Sequence, residues 1–202
     1  MAFWLAPHPL VLASRSAARR ALLEAAGIPV ELHPADLDER GLEAGAAAQT
    51  PGAIAALLAR TKALFVARSY PGRLVLGADQ TLALGVKRFA KPADRTAARA
   101  QLQALSGQTH ELHAAIAFAQ DATVQFEHAG VARLGMRVLS DQFISLYLDA
   151  VGDAATASVG AYQIEGLGLQ LFERVEGDYF TILGLPLIPA LEFLRQRGCL
   201  AS

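Results

Sequence analysis

Leu74 to Pro92 reads LVLGADQTLALGVKRFAKP. It begins with Leu74-Val75-Leu76, the continuous apolar run that suits a buried strand. The run stops at Gly77-Ala78, and Asp79 follows at once. An acid at the end of a buried strand is costly unless it is paired or stands at the mouth of a site. Leu82-Ala83-Leu84 and Val86 flank Gly85, which reads as a hairpin turning back on itself. Lys91 comes twelve residues after Asp79, and Pro92 holds it extended. The ribbon is thus expected to bring a carboxylate and an ammonium towards one place. Such a pairing suits metal-assisted chemistry on a phosphate.

The chain around this stretch has 202 residues, 53% of them hydrophobic, much of that alanine. That is enough for one large domain, or two small lobes around one core. Charged residues make up 18% and the formal net charge is −1. So even a balance gives no electrostatic footprint for duplex nucleic acid. Lysine occurs only at Lys62, Lys87 and Lys91, in an otherwise arginine-rich set of cations. The lone Cys199 has no internal disulfide partner, which fits a reducing compartment. MAFWLAPHPLVLASR lacks the basic start of a signal peptide, and no apolar run approaches the roughly 18 residues of a membrane span. A soluble, cytoplasmic protein without a membrane partner is expected.

In chain order, Leu10-Val11-Leu12 reads as a strand and Ala17 to Ala26 as a helix capped by Ser16 and stopped by Gly27. Arg19 and Arg20 fall in its first turn, where the macrodipole disfavours cations. Free N–H groups, Ser14, Ser16 and two arginines there describe an anion site; a capped helix with two solvated arginines is the plain alternative. Val30 to Leu32 reads as a short strand. The loop Asp36-Leu37-Asp38-Glu39 offers three carboxylates suited to a hard divalent cation, or an ordinary acidic surface. Thr50-Pro51 opens a helix with Ile54, Leu57, Leu58 and Phe65 inward. Lys62, four residues after Leu58, lies on or beside that inward face, where it either snorkels to solvent or reaches into a site.

Asp94 caps a helix through Ala104, and Thr109 to Ala119 reads as a strand. His110 and His113 tempt a zinc reading, but residues three apart on a strand point to opposite faces. Val124 to Glu127 and Val131 to Leu139 read as two further strands, Ser140 as a helix cap, and Gly152 to Ser158 as a loop. Val159 to Gly168 is punctuated by glycine without matching a dinucleotide fingerprint. Leu169 to Val175 reads as a strand, Gly177-Asp178-Tyr179 as a turn, Thr181-Ile182-Leu183 as an apolar run, and Gly184-Leu185-Pro186 as the start of a final helix. Strands alternating with helices, with hairpins among them, argue for an α/β fold on a mixed sheet. An anion clamp, metal carboxylates and a base together describe phosphoanhydride cleavage.

Four segments then resemble a known family, the Maf nucleotide pyrophosphatases. They are Leu12-Ala13-Ser14-Arg15-Ser16 with Arg19-Arg20; Gly77-Ala78-Asp79-Gln80 with Lys91-Pro92; Leu105 to His110; and Gly160-Ala161-Tyr162 through Gly177-Asp178-Tyr179 and Gly184-Leu185-Pro186-Leu187. They span nearly the whole chain, so one domain over residues 1–202 is expected. The resemblance implies an elongated α/β fold built around a mixed sheet and flanked by helices, with a cleft between two lobes. It implies hydrolysis of a nucleoside triphosphate to monophosphate and pyrophosphate with a divalent metal, magnesium or manganese. It also implies a role in keeping non-standard nucleotides out of nucleic acid (house-cleaning) and a link to division arrest. A homodimer is usual for such a family. By position, Asp79 falls on the presumed catalytic base and a metal ligand, and Glu39 on the acidic metal position. Ser14 and Arg19 fall on phosphate-clamp positions, and Lys62 and Lys91 on site lysines.

The departures bear on the base. The family's usual Ser-Pro-Arg-Arg is Ser16-Ala17-Ala18-Arg19 here, so an arginine associated with pyrimidine substrates is Ala18. Gln80 and Glu165 look more like the branch acting on 7-methylguanosine triphosphate, and Glu165 could accept from a guanine N1–H and exocyclic amine. Ala18 matches neither branch, so the base stays open with a lean to purine. The alternatives are a dTTP/UTP-type pyrophosphatase, or a nucleotide-binding regulatory module of cell division without catalysis.

Overall fold

A computed structural model describes residues 3–46 and 49–201. The elements are β1 (Leu10–Leu12), α1 (Ala17–Ala25), β2 (Val30–Leu32), α2 (Glu39–Gly45), α3 (Pro51–Ala67), β3 (Val75–Leu84), β4 (Lys87–Phe89), α4 (Arg95–Leu105), β5 (Thr109–Gln120), β6 (Thr123–Met136), α5 (Asp141–Val151), β7 (Phe172–Glu176), α6 (Tyr179–Ile182) and α7 (Leu187–Gln196). Hydrogen-bonded neighbours in the sheet run β2-β1-β3-β5-β6-β7, with β4 on β3. β1 pairs in parallel with β2 and β3, while β3–β4 and β6–β7 are antiparallel. The fold is α/β on a mixed sheet of seven strands, as the sequence pattern leads one to expect. No helix among the described residues is long and apolar enough to cross a membrane.

The chain divides into two compact units. One takes residues 1–80, 113–130 and 178–202, the other 81–112 and 131–177, and β3, β5 and β6 run through both.

In the first unit the sheet is covered on both faces, and side-chain alternation sorts the residues. Leu10, Leu12, Leu76, Ala78, Ile116 and Phe118 face α1 and α7, where they meet Leu23, Leu187, Phe193 and Leu194. Val11, Ala13, Val75, Ala115, Ala117 and Ala119 face α3 and meet Ala55, Ala59 and Ala63. The alanine bias of the composition has a structural use there. A stripe of alanines on α3 lies on alanines of the sheet, so helix and strand come close. A β-carbon at Gly77 would stand 2.1 Å from the carbonyl oxygen of Ala59 and 2.6 Å from the amide nitrogen of Ala63.

That approach corrects the reading of the opening stretch. Gly77-Ala78 does not end a strand, since β3 runs unbroken from Val75 to Leu84. Gly77 is where α3 presses on β3, and Asp79 sits mid-strand. The hairpin is as expected: Leu84 pairs with Lys87 across Gly85-Val86, and Gly85 has φ +58°. A second glycine lies inside a strand in the same way. Residues 123–136 form one strand rather than two, because Gly130 is in the sheet with Thr181 against it, whose Oγ1 would lie 2.9 Å from an added β-carbon.

Other elements also differ from expectation. Residues 36–39 are not wholly loop, because Asp38 caps α2 by accepting from the Gly41 amide at 3.0 Å. Phe65 is exposed rather than inward. Residues 167–171 form a 3-10 turn, so the strand begins only at Phe172. Where a turn and an apolar run were expected, Asp178 caps the short helix α6.

In the second unit α4, α5 and β7 lie against a chain of tight turns over residues 152–171. Ser140 caps α5 as expected, by accepting from the Phe143 amide.

Candidate active site

Ser14, Arg19, Glu39, Lys62, Asp79 and Gln80 all belong to the first unit, and the fold brings them together there. Five elements supply them, with Glu39 opening α2. β1 ends just before Ser14; α1 carries Arg19 in its first turn; α3 carries Lys62; and β3 carries Asp79 and Gln80.

Lys62 decides the character of the site. It lies on the same helical stripe as Ile54 and Leu58, two turns and one turn earlier, and is only 7% exposed. A lysine so placed does not snorkel out. It reaches across to β3, where Nζ donates to Asp79 Oδ1 at 2.7 Å and to Glu39 Oε2 at 2.8 Å. Asp79 shares the face of Gly77, so the close approach that requires glycine at 77 also brings the helix-borne ammonium to the strand-borne carboxylate. Glu39, at the first position of α2, is half-exposed at its side chain. Asp36 and Asp38 of the expected acidic trio take no part in this set, since Asp38 serves its helix cap.

Arg19 ties the other side together. Its Nε donates to the Gly184 carbonyl at 2.8 Å, and Nη1 to the Ala78 carbonyl at 2.8 Å and to Ser14 Oγ at 3.1 Å. Nη2, 3.5 Å from where a β-carbon on Gly184 would stand, takes no hydrogen bond among the described residues. Burial lowers the pKa of this guanidinium, opposed by the charges of Asp79 and Glu39, and an arginine stays protonated regardless. Ser14 Oγ also accepts from the Ser16 amide. Arg20 is not part of the set, being paired with Glu24 one turn on at the surface.

Gln80 alternates with Asp79 and points to the opposite face. Its Nε2 donates to the carbonyls of Thr181 and Ile182 at 3.1 and 2.9 Å. Both amide protons are therefore engaged, and Oε1 is left next to Gly184. Lys91 and Glu165 belong to the second unit. Lys91 is exposed two residues beyond β4, and Glu165 is exposed in the turns that follow Tyr162.

The electrostatics follow from burial. Desolvation raises the pKa of Asp79, Lys62 and Arg19 pull it down, and Glu39 adds to the rise. Two cations and two carboxylates balance in formal charge. Among the described residues no set of three or more His, Cys, Asp or Glu side chains could hold a metal by protein ligands alone. Two hard carboxylate oxygens, from Asp79 and Glu39, nevertheless fit the way magnesium is usually held, by one or two carboxylates with substrate phosphates and water completing the shell.

The sequence reading missed a second constellation. In the second unit His110 is fully buried, and its Nε2 lies 2.7 Å from the Tyr162 hydroxyl, with Phe172 packed on both rings. Its Nδ1 has no partner among the described residues. Burial pushes the His110 pKa down to about 4. Tyr162 follows Gly160 and Ala161, both at positive φ, and the Tyr147 hydroxyl donates to the Ala161 carbonyl. His110 and His113 do not pair as ligands; the partner of His110 lies 52 residues along the chain. The Tyr in Gly160-Ala161-Tyr162 was the available signal.

A family model described as Maf-like protein matches residues 9–197. A nucleoside triphosphate pyrophosphatase from Rhodopseudomonas palustris is 58% identical over 201 residues, covering 100% of both chains. One from Bradyrhizobium diazoefficiens is 54% identical over 201 residues, again covering both chains in full. A 7-methyl-GTP pyrophosphatase from Brucella abortus is 50% identical over 193 residues, covering 95% of this chain and 97% of that one.

Proposed function

The chain belongs to the Maf-like family, and on that premise we propose that it is a nucleoside triphosphate pyrophosphatase that works with a divalent metal and favours a 7-methyl-GTP-like purine. The observation that carries the reading is the Lys62–Asp79–Glu39 set, its Lys62 and Asp79 buried, beside Arg19. A carboxylate raised in pKa by burial, next to two cations, is a general base facing a place for phosphate.

The chemistry is assigned to this chain's own groups. Asp79 takes a proton from a water that attacks the α-phosphorus. The bond from that phosphorus to the bridging oxygen breaks, and pyrophosphate leaves with the bond's electron pair. Arg19, through Nη2 and its charge, and Lys62 hold the phosphate oxygens as negative charge gathers on the leaving group. Ser14 keeps the Arg19 fork in place through its hydroxyl. Asp79 and Glu39 are the residues that would hold magnesium or manganese, which supplies Lewis-acid stabilisation of phosphate oxygens and of the attacking water.

The lean to 7-methyl-GTP is supported by Gln80 and Glu165 and by the name of the Brucella relative. House-cleaning of modified nucleotides follows from such a preference. The test is a screen of standard and modified nucleoside triphosphates with magnesium, assayed separately for pyrophosphate and for orthophosphate. Pyrophosphate is expected, fastest from 7-methyl-GTP. Orthophosphate as the product would replace the assignment with a phosphatase, and binding without any product would favour a regulatory module.

A further inference from the structure

Lys62 stands between Asp79 and Glu39, the two carboxylates that would hold a divalent cation. Its Nζ lies 2.7 Å from one carboxylate and 2.8 Å from the other. Both oxygens are thus set at hydrogen-bond lengths, more than half an ångström longer than the roughly 2.1 Å that magnesium requires. The ammonium is buried, and its stem rises from the inward stripe of α3. Arg19 supplies a second positive charge on Asp79. The free site is therefore already neutral, with two cations matched to two carboxylates. A dication arriving alone would meet two resident cations and only two carboxylates, each with one oxygen already held by Lys62.

We propose that Lys62 is a built-in counter-ion that keeps divalent metal off the free site, so that metal enters only together with a nucleotide's phosphates. The triphosphate brings the negative charge that the site lacks. Lys62, a point charge on a flexible four-carbon stem, then leaves the carboxylates for phosphate oxygens, and Asp79 and Glu39 become available to the metal. The inference rests on the reading of those two carboxylates as metal ligands. It adds an order of binding, in which the metal–nucleotide complex is what binds and metal is not a resident cofactor.

The experiment titrates manganese into the full-length protein and follows free manganese by electron paramagnetic resonance, with no turnover involved. Wild-type protein without nucleotide is expected to show no stoichiometric binding, and addition of α,β-methylene-GTP is expected to create one site, counted as manganese bound beyond what the same analogue binds without protein. Lys62→Met and Lys62→Gln, each verified as folded by circular dichroism, should bind manganese at least tenfold more tightly than wild type without nucleotide, while Lys62→Arg should remain as closed as wild type. The wild-type comparison with and without the analogue stands by itself if a variant does not fold. Tight manganese binding to free wild type, or no gain in the folded neutral variants, would overturn the counter-ion role. Absence of manganese binding in every variant and in the analogue complex would overturn the metal reading itself, which separates the two failures.

Discussion

Asp79 and Lys62 hold opposite charges in the same buried place, and the energetics of each depend on the other. Removing one member of a buried pair leaves an uncompensated charge, at a cost of about 3–5 kcal/mol. In the proposed role of general base, Asp79 must be ionised to take a proton from water. Burial raises its pKa, Lys62 and Arg19 lower it, and Glu39 raises it further. The sign follows directly. Lys62→Met should move the acid limb of a kcat/KM–pH profile to higher pH, and Glu39→Gln should move it to lower pH. Profiles of the two variants that shift in the same direction would contradict this electrostatic account. Asp79→Asn should abolish turnover while leaving the circular dichroism spectrum unchanged; retained turnover by the pure variant would remove Asp79 from the base role. The sequence marked both residues, for different reasons. The spacing 54, 58, 62 put Lys62 on an inward face but left open whether it snorkels or reaches in. Only the closeness of α3 to β3 settles that, and closeness comes from residues that are small and silent in a pattern.

Gly77 shows the same point at the level of elements. In sequence it looks like the end of a strand. In the fold it lets a helix lie on a strand, as Gly130 lets Thr181 lie on β6. Glycine within a strand often marks such a close backbone approach, and a linear reading cannot tell this from a break. Gly77→Ala would drive a methyl group into the backbone of α3 at 2.1 Å. It should destabilise the protein by about 3 kcal/mol or more, as overpacking against backbone does, and it should displace Lys62 from Asp79. Chemical denaturation together with the kcat of the folded fraction checks both effects. A variant as stable and active as wild type would show that α3 is free to shift.

The His110–Tyr162 contact gives a second test at this scale. Burial pushes the His110 pKa down to about 4 in the fold, from the ordinary imidazole value of 6.5. The unfolded chain therefore binds the extra proton first on acidification. Stability owed to neutral His110 is present above about pH 6.5 and is lost as pH falls towards 4, amounting to roughly 3 kcal/mol. Unfolding free energies of wild type and His110→Gln, measured between pH 4 and 7, should converge at the acid end. A constant difference across that range would place the cost in packing rather than protonation.

For the molecule as a whole, strand–helix alternation gave the mixed α/β sheet without difficulty, because both faces of β1 and β3 are covered and their side chains alternate between two apolar layers. What the linear pattern left out was the pairing of distant groups. Arg19 with Gly184 spans 165 positions and Gln80 with Ile182 spans 102. Those contacts bring the Gly184-Leu185-Pro186 segment back beside β3, and they give that segment a role beyond starting α7. Gln80, expected to bear on the choice of base, holds the 181–182 carbonyls with both amide protons. Gln80→Glu keeps the size but loses the donors. It should loosen that segment, lowering the thermal midpoint and also changing the ratio of kcat/KM between 7-methyl-GTP and UTP. An unchanged ratio would confine Gln80 to a structural part.

The central claim is attack of water at the α-phosphorus, with pyrophosphate leaving. Turnover of 7-methyl-GTP with magnesium in ¹⁸O-water, followed by mass spectrometry of both products, tests it directly. The account predicts one ¹⁸O atom in the nucleoside monophosphate and none in the pyrophosphate. Label in the pyrophosphate, or in released orthophosphate, would contradict it.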